Sequence, residues 1–142
     1  MTTASPSNER IAACSCGQLK LRLKGEPALV SSCHCLACQR RTGSLFGVQA
    51  FFRQDQLVAV EGEHRTFNRE ADSGNIVTSR FCPQCGSTMY WERPSLPGMV
   101  TVAVGAFADP AFPPAVRTVW TESQHEWLAF PASIPHHRKN PP

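Results

Sequence analysis

The chain has 142 residues, 42% of them apolar and 18% charged, with a formal charge of +3. That length suits one domain, and no apolar run approaches the roughly 18 to 20 residues needed to span a bilayer, so no membrane partner is expected. The mild positive charge is spread along the chain without a basic stripe or interleaved aromatics, which argues against nucleic acid as a partner.

The opening "MTTASPSNER" lacks the apolar stretch of a secretory signal, so the expected location is cytoplasmic. The expected unit is a single domain over 1–142. Its core covers about residues 10–131, and polar, Pro-containing tails at 1–9 and 132–142 are expected to fray. Nothing in the sequence reports the oligomeric state.

The first motif is "ACSCG", which spaces Cys14 and Cys16 as C-x-C. "QLKLRL" follows, with Leu19, Leu21 and Leu23 on one face and Gln18, Lys20 and Arg22 on the other, the period of a half-buried strand. "CHCLAC" then packs Cys33, Cys35 and Cys38 together, and "LACQRRTG" predicts one short helix stopped by Gly43. "LFGVQAFF", "QLVAVEG", "HRTFNR" and "NIVTSRF" predict strands, rich in β-branched and aromatic residues between turn formers. "FCPQCGS" spaces Cys82 and Cys85 as C-x-x-C, and "TMYWER", "MVTVAVGAF" and "VRTVWTE" close the series of strands. Twelve prolines disfavour long helices. The expected fold is mainly β, a small domain of short antiparallel strands with at most one or two short helices. A metal staple would help so small a core.

Seven cysteines, an odd number without an export signal, argue for metal or thiol chemistry rather than a closed disulfide framework. "CPQCG" has the form of a zinc knuckle, which supplies two thiolates and needs a second pair. Cys14 and Cys16 are the natural complement, giving a four-cysteine site with Cys82 and Cys85. A redox C-x-x-C would expect a helix after the motif, whereas "TMYWER" reads as a strand. Pairing "CHC" with the knuckle is a second assignment, but it leaves Cys14 and Cys16 idle.

Subtraction leaves Cys33, Cys35 and Cys38, three ligands where a closed structural zinc has four. A catalytic zinc keeps three protein ligands and an open position. His34 is a candidate fourth ligand, although its place between two ligating cysteines should turn its ring away. A thiol entering an open position would ionise and could attack an aldehyde. Arg40 and Arg41 could hold substrate carboxylates. Ser44 is a candidate substrate contact, and with Gln39, Thr42 and His34 could supply hydrogen bonds around the ligands.

His64 and His125 are lesser candidates for a base or ligand, and His136 and His137 for an adventitious metal site. Trp91, Trp120, Trp127, Phe81 and Phe107 are expected in the core.

Taken together, "CSCGQLKLRL", "CHCLACQRRTGSLF", "RFCPQCGSTMYW", "VAVGAFADP" and "EWLAF" resemble the glutathione-dependent formaldehyde-activating enzyme family, also called GFA-like or centromere-protein-V-like. The resemblance spans about residues 10–131. It implies a zinc-stapled β-tent with two zinc ions, one structural on Cys14, Cys16, Cys82 and Cys85 and one exchangeable or catalytic on Cys33, Cys35 and Cys38. It also implies carbon–sulfur lyase activity, joining glutathione and formaldehyde as S-(hydroxymethyl)glutathione. The family segment "GTLDDP" stands here as "GAFADP" at 105–110, so a carboxylate is replaced by Ala108. That departure matters if the carboxylate touches substrate and not if the segment is only a turn. A non-enzymatic zinc module and a thiol or zinc sensor are the competing expectations.

Overall fold

The computed structural model describes residues 8–71 and 74–141. Ten strands run in chain order: β1 (Glu9–Ala13), β2 (Lys20–Lys24), β3 (Leu29–Cys33), β4 (Gly47–Arg53), β5 (Leu57–Glu61), β6 (Arg65–Glu70), β7 (Ile76–Phe81), β8 (Thr88–Glu92), β9 (Met99–Ala103) and β10 (Thr118–Val119). One helix, α1 (Leu36–Thr42), lies between β3 and β4, and three 3-10 turns complete the structure. The fold is therefore mainly β, as the alternation and proline content require. β1, β2 and β5 form a three-stranded sheet, and the other strands form a seven-stranded sheet ordered β10-β3-β4-β9-β8-β7-β6. All pairings are antiparallel except β10 beside β3.

Alternation assigns the two faces of the large sheet different work. Val30, Ala50, Phe52, Tyr90, Val100 and Val102 point to one side, where they meet Ala12, Leu21 and Leu23 of the small sheet and Leu19 just before β2. The three leucines are fully buried, each removal from water contributing about 1.5–3 kcal/mol. The residues between them in sequence, including Ser31, Cys33, Gln49, Phe51, Ser79 and Trp91, face the other way and floor a cavity. A one-residue slip in register would exchange core and cavity floor.

β1 and β3 go beyond the strands read from the sequence. β3 carries "LVSSC", whose two serines mask its burial, yet both are almost wholly enclosed. The C-terminal segment, expected to fray, is instead held to β10. Thr118 N donates to Pro135 O, His137 N to Thr118 O, and the Trp120 indole to Asn140. Backbone pairing of this kind needs no apolar pattern and leaves no trace in composition. Residues 1–7 of the N-terminal tail lie outside the described residues. Among the aromatics expected in the core, Phe107 and Trp91 are buried, Phe107 stacked on Phe112 at 4.5 Å and Trp91 also facing the cavity, whereas Phe81 and Trp120 are half-buried and Trp127 is 75% exposed.

Gly62 ties the small sheet to the rest of the molecule. Its φ is +97°, and a Cβ there would lie 1.9 Å from the backbone oxygen of Gln18. The Gln18 side chain pairs with both backbone groups of Glu63 and donates to Cys82 Sγ at 3.0 Å. Gly62→Ala is expected to cost at least about 2 kcal/mol in urea unfolding, from the left-handed backbone and the backbone clash together.

Candidate metal centres and the cavity

Two cysteine groups form, with ligand atoms within 4.8 Å of one another in each: Cys14, Cys16, Cys82 and Cys85, and separately Cys33, Cys35 and Cys38. The cysteines are free of disulfides. The first group draws one pair from the turn between β1 and β2 and the other from the turn between β7 and β8. Both turns are closed by backbone bonds, Gly17 N to Cys14 O and Gly86 N to Cys82 O. The site therefore links two hairpins distant in sequence, one from each sheet.

The sulfur geometry fits a tetrahedral metal. Zinc–sulfur bonds of about 2.3 Å place tetrahedral sulfurs about 3.8 Å apart. Here Cys14 to Cys16 is 3.6 Å and Cys16 to Cys82 is 3.7 Å. N–H donors meet the sulfurs as thiolates require: Leu19 N to Cys14 at 3.3 Å and Gln84 N to Cys82 at 3.4 Å. The Ser87 hydroxyl, with backbone N–H groups, pushes the Cys85 thiol down to about 5. This tetrathiolate could hold a zinc ion.

The second group is built by a strand end and a helix start. Cys33 closes β3, Cys35 is the N-cap of α1 with its sulfur accepting from Cys38 N at 3.3 Å, and Cys38 sits in the first turn. Gly43 ends the helix in the left-handed conformation, as the sequence predicts. Gln49 on β4 donates to Cys38 Sγ at 3.4 Å, a contact with no local sequence signal. Donation from Cys33 and Cys35, helped by the Arg41 charge, pulls the Cys38 thiol well down, while the same sharing pushes Cys33 up. The trio thus favours a sulfur anion and has the donor chemistry of a zinc site.

His34 does not join this group. Its ring is fully buried on the opposite side, with Nε2 bonded to Thr118 Oγ1 at 2.9 Å and the ring packed against Phe46 and Phe130. Strand alternation turns it away from its neighbours, as expected. His125 Nε2 meets Gln39 Oε1 at 3.3 Å, and His64 lies beside Tyr90; neither joins a cysteine group. Among the described residues the trio has no fourth His, Cys, Asp or Glu ligand.

The three cysteines line a cavity of about 420 Å3 between α1 and the large sheet. Arg41 enters it with its guanidinium 4.3 Å from the Trp91 ring, a cation–π contact. Its Nη2 is buried, with no hydrogen-bond partner among the described residues. Gly47, opposite Cys33 in the β3–β4 register, makes room for this arrangement, since a Cβ there would lie 2.6 Å from Arg41 Nη2. Arg40 lines the cavity from the exposed side of the helix. Ser44 follows the helix cap, exposed and outside the cavity lining, with its backbone N–H bonded to Thr42. The Gln39 amide donates to the carbonyls of His34 and Ser123, tying α1 to the segment after β10.

The "GAFADP" segment lies away from the cavity. Residues 105–110 are absent from its lining, Ala108 takes a left-handed turn at φ +49°, and Asp109 accepts from Ala111 N while facing Arg10 at 3.6 Å. It is a turn on the core side of the large sheet.

The chain matches the family profile glutathione-dependent formaldehyde-activating enzyme over residues 9–123. The chain belongs to that family. The profile takes in all seven cysteines and stops before "EWLAF". The fold is also similar to that of a Rhodobacter sphaeroides protein solved by crystallography as a structural-genomics target. That likeness has a TM-score of 0.53 at 20% identity, covering 89% of this chain and 98% of the other. At that identity the likeness speaks for the fold alone. No curated protein matches the chain at a significant level. No helix among the described residues is long and apolar enough to cross a membrane.

Proposed function

We propose that the protein is a zinc-dependent carbon–sulfur lyase-like enzyme that adds a thiol, glutathione or one similar, to formaldehyde or another small aldehyde. The observation that carries this reading is the grouping of Cys33, Cys35 and Cys38 on a cavity wall with no fourth protein ligand among the described residues. The tetrathiolate of Cys14, Cys16, Cys82 and Cys85 would hold a structural zinc. A zinc on the cavity trio would supply an open position at which a thiol loses its proton.

The chain's own residues position the reactants. Arg41, fixed over Trp91 with Nη2 unpartnered among the described residues, would hold an anionic group of the thiol beside the trio, and Arg40 would guide it at the rim. Trp91, Trp120 and Val119 give the aldehyde an apolar wall that limits water. Sulfur bonds to the carbonyl carbon, the C=O π pair moves to oxygen, and the thiol proton ends there, giving a hemithioacetal. The reverse reaction releases both partners, so no redox partner is needed.

The uncatalysed addition sets the background, so the test is exchange NMR of formaldehyde with glutathione at equilibrium. The zinc-loaded protein is expected to raise the exchange rate at least about tenfold, a small part of what positioning can contribute. An unchanged rate would overturn the enzymatic reading.

A further inference from the structure

The two edges of the large sheet differ. At one edge the C-terminal segment covers β10, with Thr118 bridged to His136. At the other edge β6 pairs with β7, and no described strand lies on its far side. An antiparallel edge strand turns the N–H and C=O groups of alternate residues outward, so β6 offers about three such residues to a further strand.

The side chains along this edge form a pattern. Cross-strand partners point to the same face, so Arg65, Phe67 and Arg69 stand with Phe81, Ser79 and Val77 on the cavity side of the sheet. Phe67 is 60% exposed between the two arginines. A groove of about 600 Å3 separates this face from α1, with Ala37 and Arg40 on the helix wall and Phe67, Arg69 and Phe81 on the sheet wall. Among the described residues no carboxylate pairs with Arg40, Arg65 or Arg69.

These features discriminate between occupants. A second copy of the chain added antiparallel to β6 would bring Arg65 and Arg69 of both molecules onto one face, and like charges across strands are destabilising. Charge on an edge strand guards against such self-pairing. The same charge attracts a strand that carries carboxylates, and Phe67 adds an apolar contact that a guard alone does not need. Nucleic acid would meet the arginines but has no strand to lay against the open backbone edge.

We propose that β6 and the groove beside α1 form a docking surface for an extended acidic segment of a partner protein, which adds to the large sheet as a further strand. Alternation sets its side chains: a carboxylate opposite Arg65, an apolar residue opposite Phe67 and a carboxylate opposite Arg69, with neutral polar residues between them. Arg40, across the groove, supplies a third cation on the same side. The proposal is independent of the thiol chemistry, since Arg65 and Phe67 lie outside the cavity lining.

The test is fluorescence anisotropy of a labelled peptide with Glu-Thr-Leu-Thr-Glu at its centre, titrated with the zinc-loaded protein. A counterpart with lysine at both glutamates should bind at least about tenfold more weakly, since like charges then face one another. Two further forms carry N-methyl groups on one or the other set of alternate backbone amides. One form should lose at least about tenfold, because its paired edge is blocked, while the other binds like the parent. Arg65→Glu should weaken the acidic peptide and strengthen the lysine one, each about tenfold, and Phe67→Ser should weaken both by a similar factor.

Equal binding of the acidic and lysine peptides, or an acidic peptide indifferent to Arg65→Glu, overturns the proposal. So does equal binding by both N-methylated forms, which is charge contact without strand addition. If single-stranded oligothymidylate binds more tightly than the peptide and loses that binding in Arg65→Glu, the surface serves nucleic acid and the proposal falls. It falls equally if the protein alone sediments as a dimer that Phe67→Ser dissociates, because a second copy then occupies β6. Absence of binding by every peptide also overturns it.

Discussion

Cys82→Ser is expected to leave the chain unfolded at 37 °C, the largest effect of any single substitution in this molecule. Cys82 is fully buried, accepts from Gln18 and Gln84, and lies 3.7 Å from Cys16, 66 residues earlier. The proposed tetrathiolate zinc holds the β1–β2 turn against the β7–β8 turn. Structural zinc in small domains supplies about 10–16 kcal/mol of apparent binding free energy, as much as the whole stability of about 5–15 kcal/mol typical of a domain. A serine at this position offers a poor ligand and strands a buried hydroxyl among three thiolates. Far-ultraviolet circular dichroism through a thermal scan checks the outcome, and a strong chelator should reproduce it in the wild type. A melting temperature lowered by only a few degrees would show that the cluster is no staple.

Cys35→Ser should do the opposite, sparing the fold and removing the reaction. Cys35 is only half-buried and serves as the N-cap of α1, a position that serine fills as well as any residue. The melting temperature should move by no more than a few degrees. Metal content should fall from two per chain to one, and exchange of formaldehyde with glutathione should return to the uncatalysed rate. Near-wild-type exchange by a folded Cys35→Ser protein would place the chemistry elsewhere. The contrast between Cys82 and Cys35 separates a structural from a functional cluster without changing residue type.

Both clusters could be read in the sequence because their ligands are local pairs and triplets with distinctive spacing. The partnership of Cys14 and Cys16 with Cys82 and Cys85 rested on the knuckle's need for a second pair, and the sulfurs do converge that way; subtraction then left the trio. The leucine alternation of "QLKLRL" and the helix ended by Gly43 were equally legible, since period and cap are local properties. The cavity floor was not. Gln49, Trp91, Arg93 and Arg117 come from separate strands and loops, and only the register of the large sheet sets them on one face. Arg93 and Arg117 carry no motif of their own; what marks them is that no carboxylate among the described residues pairs with either, which a sequence does not display. Ser44 is the reverse case. Its closeness to the cysteines in sequence suggested a substrate contact, but the turn at Gly43 carries it out of the cavity.

The central claim is that the three-cysteine cluster holds a metal with one position open to a thiol. The most direct measurement is the absorption spectrum of the cobalt-loaded protein during titration with glutathione. Cobalt reports each bound thiolate through sulfur-to-metal charge transfer. The expected result is growth of that band by about one thiolate per chain, saturating with glutathione and absent in Cys35→Ser. A protein that binds two cobalt ions yet shows no spectral change with thiol would contradict the open site.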